Sequence, residues 1–338
     1  MLYEPTTLAS ITPLLATTLR EDYGMDPAPL YSQAGVPLEP GNSPQLRYPL
    51  ADIRKLWKIA IDATGDPAIG LKTGQHARPA HFYAFGYSWM ASSTLLGAMQ
   101  RLTRYGKVMS TASVETTLVE SDDSFVLTTV FPEESKAPPK EGIDCGMTAL
   151  LALCDIVAEK KIRPTRVELT CAATVHPDAY REALGAPIQF GADIGRFYFD
   201  KKTMLEQLPL AAPDVAKATD RIAEQYIETL DPHKVASQVR RLLIALLPSG
   251  KADQELVSSR LNRSMSTLQR QLQAEGLNYR DVLESTRRSL AEDYLRDRKH
   301  SLAQIAYLLG FSDQSNFSRA FKRWTSMSPR QYQDAQTA

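Results

Sequence analysis

Hydrophobic positions along this 338-residue chain follow two different rhythms. Over residues 1–212, helix-like and strand-like spacings alternate. In Ala51–Thr64, Ile53, Leu56, Trp57 and Ala60 recur at helical spacing, and Gly65-Asp66-Pro67 closes the segment. Ser93–Ser110 carries Leu95, Met99, Leu102 and Met109 on one stripe and predicts a second helix. VETTLVE and SFVLTTVF, separated by Ser121-Asp122-Asp123, predict a β-hairpin or two adjacent strands. A further helix is expected over Gly146–Glu159, with strands at RVELTCA and RFYFD. The pattern predicts an α+β N-terminal domain of mixed helices and short strands.

After residue 212 the strand rhythm stops. Pro209 and Pro213 punctuate the change, and Pro213–Leu230 reads as a polar helix within a linker over 213–232. Residues 233–338 are predicted to be all-α, with two similar helix pairs about fifty residues apart. The second pair, about 301–325, is the clearer one. Ser301 and Gln304 fit a capping box. Gly310 suits a left-handed turn, with Phe311 folding back and Ser312 capping the next helix. There Phe317, Ala320, Phe321 and Trp324 share one apolar face, and small Ala306 permits close crossing. Gln314, Ser315, Ser318, Arg319 and Lys322 fall on the opposite side, where no acid stands.

The first pair, about 253–276, follows the same plan. Asp253–Leu261 leads, Asn262-Arg263 turns, and Ser264 caps a helix ending before Gly276. Met265, Leu268 and Leu272 are expected inward, and Ser266, Gln269, Arg270 and Gln273 outward. Between the pairs, residues 279–298 form a long helix with Tyr279, Val282, Leu283, Thr286 and Leu290 on one stripe. Its Glu284/Arg288 and Glu292/Arg296 spacings suggest surface ion pairs. Twenty residues of helix span ~30 Å, close to the ~34 Å of one DNA turn. Such a spacer would present two recognition helices to successive major grooves. Arg there can grip guanine bidentately, while Gln and Ser bond bases or phosphates. A solvated helix face is the alternative reading of the same arc.

Charge sharpens this picture. The chain is neutral overall, yet residues 231–338 hold 17 basic against 11 acidic residues, or +6. The remainder holds 22 against 28, or −6. A basic C-terminal third on an acidic body is what a double-stranded DNA partner would favour. No apolar run reaches the ~18–20 residues that span a bilayer, so no membrane partner is expected. MLYEPTTLASITPLLATTLRED lacks a basic start, so no signal peptide is expected. Cys145, Cys154 and Cys171 are too widely spaced for a zinc cluster or disulfide framework, which suits a reducing cytoplasmic setting.

The C-terminal phrase IAYLLGFSDQSNFSRAFKRWTSMSP resembles the signature of AraC/XylS-type transcriptional regulators. The likeness covers about Val235–Tyr332, and STLQRQLQAEG resembles the family's first recognition helix. GDPAIGLKTG, FGYSWMASSTLLGAMQRLTRY and GAPIQFGADIGRFYFD are similar to the arabinose-binding-type sensor domain of one branch. The resemblance implies a two-motif DNA-binding unit behind an effector or dimerisation domain. It carries base contacts onto Ser266, Gln269, Arg270, Gln314, Ser315, Ser318 and Arg319. It implies an activator, hence RNA polymerase as a partner, and a dimer on two sites. Ser326 stands where Gly is usual in W-T-G-x-S-P, and Ser258 where Ala is usual.

In the N-terminal domain, His76, Arg78, His81, Phe82, Tyr83, Phe85, Tyr87 and Trp89 crowd into one short stretch. Arg78, His81, Phe82, Tyr83, Tyr87 and Trp89 are a candidate effector pocket: aromatics for an apolar body, one cation for a carboxylate. Core packing is the competing reading. His76 and His81 lack a third ligand, so no metal or other cofactor is expected. Two rival functions remain: a constitutive regulator whose N-terminal domain only oligomerises, and an alkyl-transfer enzyme with a nucleophilic Cys. The second needs an activated thiol, and no His lies near Cys145 or Cys154 in sequence. No enzyme activity is expected.

Overall fold

The computed structural model describes all residues except 1–3, 41, 42, 44, 173–175, 231–233, 251, 298 and 336–338, and the side chains of 293, 296, 297, 334 and 335. Two units emerge, one reaching Ile227 without residues 41–43, the other running from Glu228 onward.

The first unit begins with β1 (Thr6–Leu8), then α1 (Pro13–Glu21) and α2 (Ala28–Ala34), before β2 (Arg47–Pro49) pairs antiparallel with β1. The predicted helix at 51–64 is α3 (Leu50–Thr64), which buries Leu50, Ile53, Leu56, Trp57 and Ala60 and stops at left-handed Gly65. Next come α4 (Ile69–Gln75), α5 (Tyr83–Met90) and α6 (Leu95–Tyr105). Helix α6 is shorter than the predicted 93–110, because the Thr94 side chain caps its start and the helix yields to a 3-10 turn from Gly106.

The predicted hairpin is present as β3 (Glu115–Glu120) and β4 (Ser124–Val130), with Glu120 opposite Phe125. After α7 (Lys140–Ala158), β5 (Arg166–Leu169), α8 (Pro177–Leu184), β6 (Ile188–Phe190) and β7 (Gly195–Asp200) complete a five-stranded sheet. Its order is β3-β4-β7-β5-β6, and only β5 and β6 run parallel. Helix α4 lies directly on α7. A Cβ at Gly74 would overlap the Cys145 carbonyl and the Thr148 hydroxyl, so this approach requires glycine.

Short α9 (Lys201–Leu205) leads to α10 (Pro213–Leu230). The helix has the predicted limits, but the notion of a separate linker over 213–232 needs correction. As far as Ile227 it is part of the first unit. Its inner side buries Ala216, Ala223 and Tyr226. Arg101 on α6 bonds Asp220 at 2.9 Å, and the Tyr105 hydroxyl donates to Glu224 at 2.9 Å. Residues 231–232 lie outside the described set.

The second unit is helical: α11 (Val235–Leu246), α12 (Gln254–Arg260), α13 (Met265–Ala274), α14 (Tyr279–Asp297), α15 (Leu302–Leu308), α16 (Gln314–Thr325) and α17 (Pro329–Ala335). It has two cores. Val235, Val239, Leu243, Val257, Leu268, Leu272 and Val282 form one, and Ala291, Leu295, Ile305, Ala306, Leu309, Phe317 and Phe321 the other. Helix α14 therefore joins the two helix pairs by contributing to both. Its surface pairing differs from expectation. Arg280 bonds Glu284 at 3.0 Å and Arg288 bonds Glu292 at 2.9 Å, while Glu284 also meets Arg323. The Arg296 side chain lies outside the described residues.

Candidate nucleic-acid interface and ligand cavity

Each helix pair turns on one left-handed residue. In the first this is Asn262, at φ 53°, with the Arg263 amide donating to the Ser258 carbonyl at 2.9 Å. In the second it is Gly310, at φ 68°, with the Phe311 amide donating to Ala306 at 2.9 Å. The Ser301–Gln304 capping box predicted for α15 is formed. Ser258 is buried, and its hydroxyl is satisfied by the Glu255 carbonyl at 2.9 Å.

Two local predictions fail. Helix α16 is capped by Asp313, whose carboxylate accepts the Asn316 amide at 2.7 Å; Ser312 instead bonds that carboxylate. An ionised Asp is the stronger acceptor at a positive helix end. Met265, expected inward, is 51% exposed, because it occupies the first turn of α13, ahead of the buried Leu268 and Leu272.

The outward arcs are as follows. On α13, Ser266, Gln269 and Arg270 are exposed. On α16, Gln314, Ser315, Arg319 and Lys322 are exposed, and Ser318 is half-buried. Sequence reasoning missed how Arg319 is held. Its guanidinium donates to the Asn316 side-chain oxygen at 2.7 Å. The Asn316 amide group in turn donates to Asp313 at 2.6 Å and Ser312 at 2.7 Å. Arg287 was also missed. From α14 it donates to the carbonyls of Leu309 and Gly310, at 2.9 and 3.0 Å, and lies over the Phe311 ring. It serves the turn, so it is no part of an open basic surface.

The first unit holds a partly open cavity of about 950 Å³. Leu56 and Trp57 of α3, Phe85 and Trp89 of α5, and Ile143 and Leu153 of α7 supply much of its apolar wall. Of the predicted pocket residues, only Phe82 and Trp89 line it. The indole of Trp89 is fully buried and donates to the Leu153 carbonyl at 3.2 Å.

Arg78, His81, Tyr83 and Tyr87 do not line the cavity. The Arg78 guanidinium donates to the carbonyls of Gln75 and Ala77, and the Arg78 amide donates to His81 Nδ1. Burial, then the nearby Arg78 charge, lowers the His81 pKa. Tyr83 packs edge-on against Tyr226, and Tyr87 is 45% exposed. The cluster divides because a short 3-10 turn precedes α5 and sends alternate residues to different surroundings.

The cavity wall also holds an ionisable group that sequence reasoning did not assemble. Lys140 Nζ bonds Asp144 at 2.7 Å, and the Tyr180 hydroxyl of α8 donates to both Asp144 oxygens at 2.9 and 3.0 Å. Burial would push Lys140 down, but its pairing with Asp144 and Tyr180 outweighs this and raises its pKa. Burial also raises Asp144, against the pull of Lys140, and takes Tyr180 up to about 12. The helix expected over Gly146–Glu159 starts earlier, at Lys140, which sets residues 140 and 144 one turn apart, and folding brings Tyr180 to them.

Cys145 and Cys154, the two cysteines weighed as nucleophiles, do not suit covalent chemistry. Cys145 and Cys154 are buried; burial takes the Cys145 thiol up to about 12 and pushes Cys154 up as well. Thiolate is the reactive form, so burial works against either thiol as a nucleophile. Among the described residues no helix is long and apolar enough to cross a membrane.

A unit with a ligand-sized cavity ahead of a unit built from two capped helix pairs defines the class: a DNA-binding transcription regulator with an N-terminal ligand-binding domain. The family described as the N-terminal arabinose-binding domain of AraC transcription regulators matches residues 24–208, and a helix-turn-helix domain matches residues 257–335. The chain belongs to the AraC family of transcription regulators. The Ornithine utilization regulator of Pseudomonas aeruginosa is 30% identical over 315 residues, covering 93% of this chain and 92% of that protein. The HTH-type transcriptional regulator VirS of Mycobacterium tuberculosis is 28% identical over 322 residues, 94% of this chain and 93% of that one. The crystal structure of the regulator CdpR from Pseudomonas aeruginosa aligns over 91% of this chain and 96% of its own, at 20% identity and a TM-score of 0.41. The chain is thus a DNA-binding transcription regulator with an N-terminal ligand-binding domain, and not an enzyme.

Proposed function

We propose that the protein is an activator that reads promoter DNA through α13 and α16 in response to a small hydrophobic, carboxylate-bearing effector held in the N-terminal cavity. Ser266, Gln269 and Arg270 form one DNA-facing set, and Gln314, Ser315, Ser318, Arg319 and Lys322 the other. The observation that carries this reading is the pair of outward arcs, each free of acidic side chains on a helix whose inner face is buried. Arg270 and Arg319 supply the bidentate donors for guanine, and Lys322 serves the phosphate backbone. RNA polymerase is the partner of such an activator, and two copies of the chain occupy paired sites.

The cavity supports the effector half of the reading: its volume is that of small-molecule sites. A constitutive regulator would need no such space. Footprinting of the full-length protein on genomic fragments, with a salt series, tests the DNA reading. Protection of a few fragments on one face, lost with Arg319→Ala, is the expected result. Equal protection of all fragments, with Arg319→Ala changing only the salt slope by about one, would reject it. Transcription from a selected fragment with and without the protein separates activation from repression.

A further inference from the structure

The charged side chains of the cavity wall are of two kinds. Arg104, Lys107, Glu115 and Lys140 are exposed, and of these four Lys140 alone is bonded to the buried carboxylate. Asp144 is only 3% exposed, and it lies on α7 one turn from Lys140, facing Tyr180. A buried carboxylate in an apolar wall is costly unless its lone pairs are used. Both Asp144 oxygens are bonded by Tyr180, and one also by Lys140. Asp144 has little left to offer a ligand.

Lys140 is different. Its ammonium carries three N–H donors. Asp144 takes one at 2.7 Å, and the ammonium stands 5.3 Å from the centre of the Tyr180 ring. The Lys140 side chain lines the cavity with 45% of its surface accessible. With Asp144 and Tyr180 both paired to the ammonium, its third donor remains for an acceptor in the cavity, held by a pairing that also fixes the charge.

We infer that Lys140, oriented by Asp144 and Tyr180, is the head-group site of the cavity and takes the carboxylate of an amphipathic monoacid whose apolar body lies against Leu56, Trp57, Phe85 and Trp89. This deepens the effector reading above and rests on it. A carboxylate offers an oxygen to the remaining donor in a charge-assisted bond. Asp144 partly opposes the ligand's charge, so a single anionic group suits the site better than a dianion. An amine head would face the Lys140 ammonium. A free sugar would set its hydroxyls against a mostly apolar wall, where the lining threonines answer only part of them. The site thus selects on both ends of the ligand.

The test uses the full-length protein and four probes at equal, submicellar concentrations: decanoate, decanol, decylamine and L-arabinose. A ligand that binds only the folded state raises the melting temperature in proportion to its affinity. Decanoate is expected to give the largest rise, with decanol weaker and decylamine and arabinose near zero. Lys140→Met should weaken decanoate on the order of tenfold, to the level of decanol, and leave decanol unchanged. Lys140→Arg should keep the preference for the acid, which a merely structural role for the lysine would not require. Should Lys140→Met fail to fold, Tyr180→Phe supplies the second variant. It frees Asp144 to draw Lys140 closer and should reduce the acid-over-alcohol preference.

Equal shifts from acid and alcohol in the wild type would overturn the Lys140 assignment while leaving an apolar ligand cavity intact. So would an acid preference that survives Lys140→Met. No shift from any probe would overturn the head-group site, whereas the DNA reading would still stand or fall on its own footprint.

Discussion

In the first helix pair the buried contacts are aliphatic, with Val239, Leu243, Val257, Leu268, Leu272 and Val282 around one centre. In the second, aromatic rings join the aliphatic ones: Phe317 and Phe321 are buried among Leu295, Ile305 and Leu309, with Phe311, Trp324 and Tyr332 packed against them. The outer faces differ too. Arg319 is held by Asn316, which is held by the cap of its own helix. Arg270 makes no side-chain hydrogen bond among the described residues, and the nearby hydroxyls of Ser264, Ser266 and Thr267 bond one another. The second pair presents a preset cation and the first an adaptable one. Preset donors lose less entropy on binding and discriminate better, whereas adaptable ones tolerate more sequences.

The sharpest way to break this comparison is Phe317→Ala. Removing a fully buried ring should cost about 3–5 kcal/mol in a denaturant melt. Amide exchange should then rise first in α15–α17, with α11–α13 still protected; a uniform rise would mean one core rather than two. Arg287→Met removes two charged bonds to the second turn and should cost about 1.5–3 kcal/mol, again felt mainly in the second pair. On DNA, Arg319→Ala should lower discrimination among duplexes from a random-sequence selection by about 1–3 kcal/mol. Asn316→Ala should lower it less, without changing the salt slope. If Arg270→Ala cost as much as Arg319→Ala, the preset-versus-adaptable distinction would fail.

The smallest effect sits at the helix ends. Ser326 ends α16 at φ 63°, a left-handed conformation in which a side chain is strained. Ser326→Gly should therefore raise stability by about 0.5–1 kcal/mol, measured by thermal melt. Asn262→Gly in the first turn should gain only a few tenths of a kcal/mol, because Asn adopts that conformation readily.

Local features of this kind are legible in the sequence alone. The capping box at Ser301, the turn at Gly310, the hairpin at residues 114–131 and the limits of the helix at 213–230 depend on neighbours a few residues apart. Where two local candidates compete, as Ser312 and Asp313 do for one cap, sequence spacing cannot rank them. The first helix of the second unit, α11, carries no motif, yet it supplies much of the first core. Glu275 caps its start by accepting the amides of Val235 and Ala236 at 2.6 and 2.9 Å.

The cavity shows the other limit. Arg78 stands among aromatics in the sequence, but its guanidinium is satisfied by its own loop. Lys140 stands in an unremarked helix start, yet it reaches the cavity. Sequence determined the helix pairs, their turns and their outward arcs, because caps, left-handed residues and helical periodicity act over one or two turns of chain. Tertiary structure decided which side chains meet in the cavity and which arginine holds a turn, because those contacts join α3, α5, α7 and α8, or α14 and α15, across distances that no local period encodes.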